Sequence, residues 1–187
     1  MTGRPLGDLV GYLDAYLGIA DFPDYAGALN GLQVENRGRV TSLVAAVDAT
    51  QLTIDAMADP GALLLVHHGL FWDGAQALTG RHYRRISALL ARDAALYSAH
   101  LPLDAHPEVG NNAVLATRLG LSESRPFGLF QARAIGIQGL VPPALANRVA
   151  LHREVAAQVG VPPEQVKLIS GGPEVVTRVG VMTGGAG

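Results

Sequence analysis

Residues 62–72 read Ala-Leu-Leu-Leu-Val-His-His-Gly-Leu-Phe-Trp. Ala62–Val66 is an unbroken apolar run, too short for a helix and without polar alternation. Such a run reads as a strand buried on both faces. Upstream, Ser42–Val47 (SLVAAV) is a second run of this kind, β-prone at Val44 and Val47. Residues 50–58 between them read as a helix, capped by Asp48 or Thr50. Downstream, residues 81–93 form a helix that turns Ile86, Leu89 and Leu90 inward, residues 94–99 a third strand, and residues 110–119 another helix. Leu6, Leu9, Val10, Leu13 and Leu17 repeat at helical spacing over residues 5–17, and residues 21–32 are a Gly/Pro/Asn/Asp-rich loop. Apolar strands separated by helices predict an α/β fold: a largely parallel sheet with helices on both faces.

The texture changes after Gly120. Residues 121–131 read as a loop, 134–141 as a strand, and Pro142-Pro143 opens a helix reaching about Val159, proline being tolerated in a first turn. Two further strands are predicted at 166–169 and 175–182, before a glycine-rich turn at Thr183–Gly187. The predicted organisation is a metal-site α/β domain over 1–120 and a small βαββ segment over 121–187.

Composition narrows the chemistry. The chain has 187 residues, 49% hydrophobic and 16% charged, a net charge of −2 and no cysteine. Disulfides and thiolate-bound zinc are excluded, so any metal is held by nitrogen and oxygen. No apolar run approaches the roughly 20 residues of a membrane span, and the N-terminus lacks a signal-peptide stretch. The expectation is a cytoplasmic protein. All its basic residues except Lys167 are arginines, scattered rather than arranged in the stripe that duplex binding needs. The tightest cluster, Arg81, Arg84 and Arg85, fits a solvated helix face first and an anion-attracting rim second.

Ligands of open parallel sheets gather beyond the carboxyl ends of the strands. Three such ends carry polar residues: Asp48, the pair His67-His68, and the segment His100-Leu-Pro-Leu-Asp104. Successive strand side chains point to opposite faces, so neighbouring histidines address one cavity only where the strand breaks, which Gly69 permits. Two polar residues directly after ALLLV are costly to bury without partners. His100 and Asp104 flank Pro102 and are read as loop residues that fold toward one point. Imidazoles with a carboxylate suit a divalent ion, and a carboxylate can bridge two. His67, His68, His100 and Asp104 are therefore the predicted metal ligands. Asp48 fits either a helix cap or a partner that orients a ligand histidine. His106 fits the same orienting role or the ordering of its own loop with Asn111 and Asn112. His152, on an apolar stripe with Leu145, Val149, Ala156 and Val159, reads as a packing or interface histidine. His82 reads as exposed. Phe71 and Trp72 fit a cavity wall, a surface that stacks on a flat substrate, or core packing.

The strings Asn30–Val34 (NGLQV), Val66–Trp72 (VHHGLFW) and His100–Ala116 (HLPLDAHPEVGNNAVLA), with Gly172–Arg178 (GPEVVTR) and the glycine turn after it, resemble the dinuclear metal-centre hexameric proteins. These are also called GTP cyclohydrolase I type 2 or NGG-interacting-factor-three-like. The resemblance runs over nearly the whole chain. It implies two divalent ions per complete site (zinc, iron, manganese or nickel), ligated at His67, His68, His100 and Asp104, and a toroidal homohexamer. It also implies a further histidine and glutamate from a later His-x-x-x-Glu segment. No histidine follows His152 here, so the resemblance implies a chain that stops before that segment and is incomplete relative to the family fold.

The function that follows is metal-dependent hydrolysis of a small molecule, a nucleotide or related heterocycle, as in a GTP cyclohydrolase. No P-loop occurs, so a nucleotide would be held by stacking and by metal or arginine contacts. Two other readings stand beside it. One is a metal-binding oligomeric scaffold without turnover. The other is an inactive fragment lacking the C-terminal ligands.

Overall fold

A computed structural model of the chain describes residues 3–184. The chain divides into two compact units, Met1–Leu103 and Asp104–Gly187. In the first, β1 (Arg4–Pro5) runs into α1 (Leu6–Leu17), followed by β2 (Gly31–Val34), β3 (Arg39–Val40), β4 (Ser42–Asp48), α2 (Gln51–Asp55), β5 (Ala62–His68), α3 (Gly80–Ala91) and β6 (Ala95–Ser98). A single turn, α4 (Leu101–Asp104), ends on the first residue of the second unit. The segment from His100 to Asp104 is thus a helical turn and not the expected loop. Pro102 sits near its start, where no intrahelical N–H is needed.

The main sheet has the order β2-β6-β5-β4. β4, β5 and β6 are parallel, as the apolar runs predict, but β2 lies antiparallel on β6. The fold class is α/β, and the sheet is mixed. β2 falls partly inside the expected loop because it is only four residues long and opens on Gly31, whose φ of 96° favours glycine.

Strand alternation sorts the side chains onto two faces. Leu63, Leu65, Ala95 and Tyr97 pack with Leu6, Leu9, Val10, Leu13 and Leu17 of α1. Leu64, Val66 and Leu96 pack with Ile54 of α2 and with Ile86 and Leu89 of α3. Helices therefore cover both faces. Complete burial of Leu63, Leu64 and Leu96 contributes roughly 2 kcal/mol per side chain. Thr50 caps α2, its side chain accepting from the backbone N–H of Thr53 at 3.0 Å. Asp48 is not the cap.

The second unit contains α5 (Asn111–Arg118), β7 (Ser122–Phe130), β8 (Arg133–Leu140), α6 (Arg148–Val159) and β9 (Arg178–Val181). Its sheet, β7-β8-β9, is entirely antiparallel. The expected loop at 121–131 is a nine-residue edge strand, β7. Pro126 and Gly128 depress its propensity, and an edge position tolerates the proline. Its turn into β8 places Gln131 and Ala132 at φ of 45° and 66°, without the Asn-Gly signature of such turns. The helix expected from Pro142 begins only at Arg148, where the Asn147 side chain accepts from Val149 N–H and Ala150 N–H. The strand expected at 166–169 does not form, and Ile169 is 77% exposed. The unit's core gathers Ala116, Leu119 and Val181 against Ile137, Leu151 and Val155. Of the expected turn at 183–187, residues 185–187 lie outside the described residues. Among the described residues no helix is long and apolar enough to cross a membrane.

Candidate metal centre

His67 and His68 end β5, and His100 follows β6 by two residues. Val66 pairs with Ser98, the last residue of β6, whereas on the other side β4 continues until Asp48 pairs with His68. β5 therefore outruns β6 by the two histidines. The strand breaks directly after them, at Gly69, as expected. Rings from opposite faces still meet, because past the end of β6 no neighbour separates them. Ring centroids of His67 and His68 are 4.6 Å apart, those of His67 and His100 4.8 Å, and those of His68 and His100 5.6 Å. A nitrogen from each of the three rings lies within 4.8 Å of the other two.

Two of the rings are aimed by carboxylates. His68 Nδ1 is 2.8 Å from Asp48 Oδ1, and His100 Nδ1 is 2.9 Å from Asp24 Oδ1. A carboxylate accepts, so each Nδ1 carries the proton and each Nε2 keeps its lone pair for a ligand. The two pairs differ in setting. The side chains of His68 and Asp48 are 43% and 55% exposed, and those of His100 and Asp24 only 13% and 5%. Burial is the largest single influence on the Asp24 carboxyl and pushes its pKa upward. The hydrogen bonds from His100, Asn30, Tyr25 N–H and Leu101 N–H together outweigh it, and the group titrates below its ordinary value. Asp24 is thus held as a carboxylate.

Asp24 is a site-building residue that sequence reading passes over, and Asn30 and Gln33, singled out only as part of the NGLQV string, take on a site-building role that the string alone does not assign. Asn30 Nδ2 donates to Asp24 at 2.8 Å while its Oδ1 accepts from His100 N–H at 2.8 Å. Gln33 Oε1 accepts from Leu70 N–H at 2.8 Å, and its Nε2 donates to Leu29 C=O at 2.6 Å. The NGLQV string clamps both histidine segments at once. Asp24 lies in a Gly/Pro-rich loop 76 positions from His100, and no local pattern marks it.

Trp72 walls the site, with its ring centroid 4.7 Å from that of His100 and 5.9 Å from that of His68. Phe71 instead packs against the core behind β5 and edge-on to His82 at 5.4 Å, so His82 is half-buried rather than exposed. In the second unit, Asp104 is 3% exposed and accepts from Asn111 Nδ2 at 2.7 Å. His106 Nδ1 accepts from Glu108 N–H and Val109 N–H, both at 3.2 Å, which orders its own loop. His152 Nε2 donates to Val166 C=O at 2.6 Å and staples the segment after α6.

The donor set suits a cation. Three imidazoles converge, two with the tautomer that ligation requires, and three protein ligands are the usual number at a catalytic zinc.

The chain's likeness to known proteins runs over the same segments. The profile of the Duf34/NIF3 (NGG1p interacting factor 3) family matches residues 5–187. A protein of Deinococcus radiodurans named GTP cyclohydrolase 1 type 2 homolog is 43% identical over 183 residues, covering 96% of this chain and 67% of the relative. One of the same name from Treponema pallidum is 40% identical over 218 residues, covering 100% of this chain and 75% of the relative. Among solved structures, protein ybgI, described as of unknown function, superposes with a TM-score of 0.82 at 36% identity, over 98% of this chain and 71% of that one. The chain therefore belongs to the Duf34/NIF3 family.

Proposed function

We propose that this chain is a cytoplasmic metal-dependent hydrolase acting on a nucleotide or related heterocycle. His67, His68 and His100 hold a divalent cation, and Asp104 joins them as the carboxylate ligand of a two-cation centre. The observation that carries this reading is the convergence of three imidazoles, two of them directed by carboxylates. The name GTP cyclohydrolase 1 type 2 homolog, borne by relatives about 40% identical, supports a purine nucleotide as substrate.

A divalent cation supplies Lewis-acid chemistry, bringing the pKa of water toward neutrality and polarising a carbonyl or ring carbon. The residues of the chain do the rest. Asp24 and Asp48 keep Nε2 of His100 and His68 facing the cation and raise their basicity. Trp72 gives a flat apolar wall beside the rings, suited to a heterocycle, and limits water on that side. Nitrogen and carboxylate donors suit zinc, iron, manganese or nickel. The native assembly proposed is a homohexamer.

The experiment measures bound metal per chain by elemental analysis and then GTP hydrolysis with added Mn²⁺ or Zn²⁺, with His67→Ala as control. Bound cation together with metal-dependent hydrolysis, both lost in the control, is the expected result. A metal-loaded protein that hydrolyses nothing overturns the enzyme reading and leaves a metal-binding scaffold.

A further inference from the structure

The first unit contains a cavity of about 340 Å³ lined in part by Gly69, Leu70 and Trp72, which follow the histidine pair in the chain. Trp72 is common to both places, since it lines the cavity and packs on His68 and His100. The start of α3 also lines it, contributing Arg81, His82 and Arg85. One carboxylate, Asp73, also lines the cavity, and its Oδ2 accepts from Gln76 Nε2 at 2.9 Å.

Three features of this wall point to an anion. Arg81 and Arg85 are one helical turn apart, so two guanidinium groups share one face. Their mutual repulsion costs free energy unless a negative charge lies between them. Arg85 Nε and His82 Nε2 are buried and have no hydrogen-bond partner among the described residues, an expensive arrangement for polar atoms and most of all for the guanidinium donor. The first turn of α3 holds no acidic residue, and Thr79 makes no side-chain cap there. Its N–H groups and dipole end are left for an external acceptor. The pKa of Arg85 is lowered, first by burial and then by the charge of Arg81, while Asp48 acts in the opposite direction.

The geometry points to an oxyanion subsite formed by Arg81, His82, Arg85 and the start of α3, which takes a phosphate group of the substrate while the histidine centre faces the part that reacts. This rests on the hydrolase reading above and names what that reading leaves open, namely how the substrate is recognised. Guanidinium forks match phosphate oxygens in pairs. A phosphate seated there draws the attached heterocycle along the Trp72 wall toward the three imidazoles. No step of bond breaking is assigned to the subsite; Arg81 and Arg85 bind and orient.

The test is calorimetric titration of pyrophosphate into the full chain after removal of metal with a chelator, so that no cation can bind the anion. Binding that weakens with salt is expected, with at least about tenfold loss in Arg85→Gln and in Arg81→Gln, from the strength of charge-assisted bonds. GTP should bind more tightly than guanosine, and that advantage should shrink in both variants. Arg81 is exposed, so its variant decides the matter if Arg85→Gln fails to fold by circular dichroism. Absence of pyrophosphate binding to the metal-free chain, or equal binding in wild type and Arg81→Gln, overturns the subsite. Metal content is measured alongside: the subsite can fail with the cation still bound, and the metal reading fails only if no cation binds.

Discussion

Asp24 and His100 meet at 2.9 Å, Oδ1 to Nδ1, in a pocket that leaves the aspartate side chain 5% exposed. Asp48 makes the equivalent contact with His68 at 2.8 Å but in the open, at 55% exposure. Equal geometry in unequal surroundings gives unequal effects, because solvent screens the exposed pair. Asp24→Asn should weaken cation binding about 10- to 100-fold, the usual loss when the partner of a ligand histidine is removed. Asp48→Asn should cost less. Competition with a chromophoric chelator measures both, and a larger loss at Asp48 than at Asp24 contradicts the argument.

Trp72 is the only tryptophan in the chain, and its ring touches two of the proposed ligands. Its fluorescence therefore reports on the site. Adding Zn²⁺ or Ni²⁺ should change the emission, and His67→Ala should abolish the change. Unaltered emission from a chain shown by elemental analysis to carry the cation speaks against Trp72 as the wall of the centre.

A Cβ at Gly69 would meet the amide end of the Gln33 side chain, which would have to shift to admit it, and Gln33 holds Leu70 N–H and Leu29 C=O in place. Gly69→Ala should destabilise the fold by about 1–3 kcal/mol, the usual range for overpacking. In a double-mutant cycle with Gln33→Ala the two losses should fall short of additive, since the alanine at 33 vacates the space. Additive losses in urea denaturation mean that the two residues do not meet.

Tyr97 is 1% exposed, and its hydroxyl donates to Asp14 Oδ1 at 2.7 Å. Burial, then this hydrogen bond and the charge of Asp14, raise its pKa well above the ordinary value of 10.0. The folded state thus keeps a proton that the unfolded chain releases. The stabilisation is fully present below pH 10.0 and falls as pH rises beyond it. Tyr97→Phe should lower stability at neutral pH by about 1 kcal/mol, one net hydrogen bond, and flatten the decline above pH 10.0. Thermal unfolding of both proteins between neutral and alkaline pH checks the sign.

The first unit was legible where burial alone decides structure. The run at 62–66 and the leucine spacing of residues 5–17 are hidden in β5 and α1, whereas the run at 42–47 forms the edge strand β4 and leaves Leu43 and Val47 60% and 63% exposed. His67, His68 and His100 were legible because polar groups after apolar strands need a reason to be there. What escaped was structure set by partners distant in sequence. β2 exists through pairing with β6, and β7 through pairing with β8 despite Pro126. Asp24 acquires its role only once His100 is beside it. Asp48 shows the same limit: the helix cap is its first local reading, but Thr50 takes the cap and Asp48 meets His68 instead.

The two carboxylates that aim the rings of His68 and His100, Asp48 and Asp24, and the Asn30 amide that holds His100 N–H, all belong to the first unit. The basicity and tautomer of those imidazoles are therefore set by a self-contained scaffold. Substitutions beyond Leu103 leave those hydrogen bonds in place, so the donor set of the proposed centre is tuned within the first unit alone.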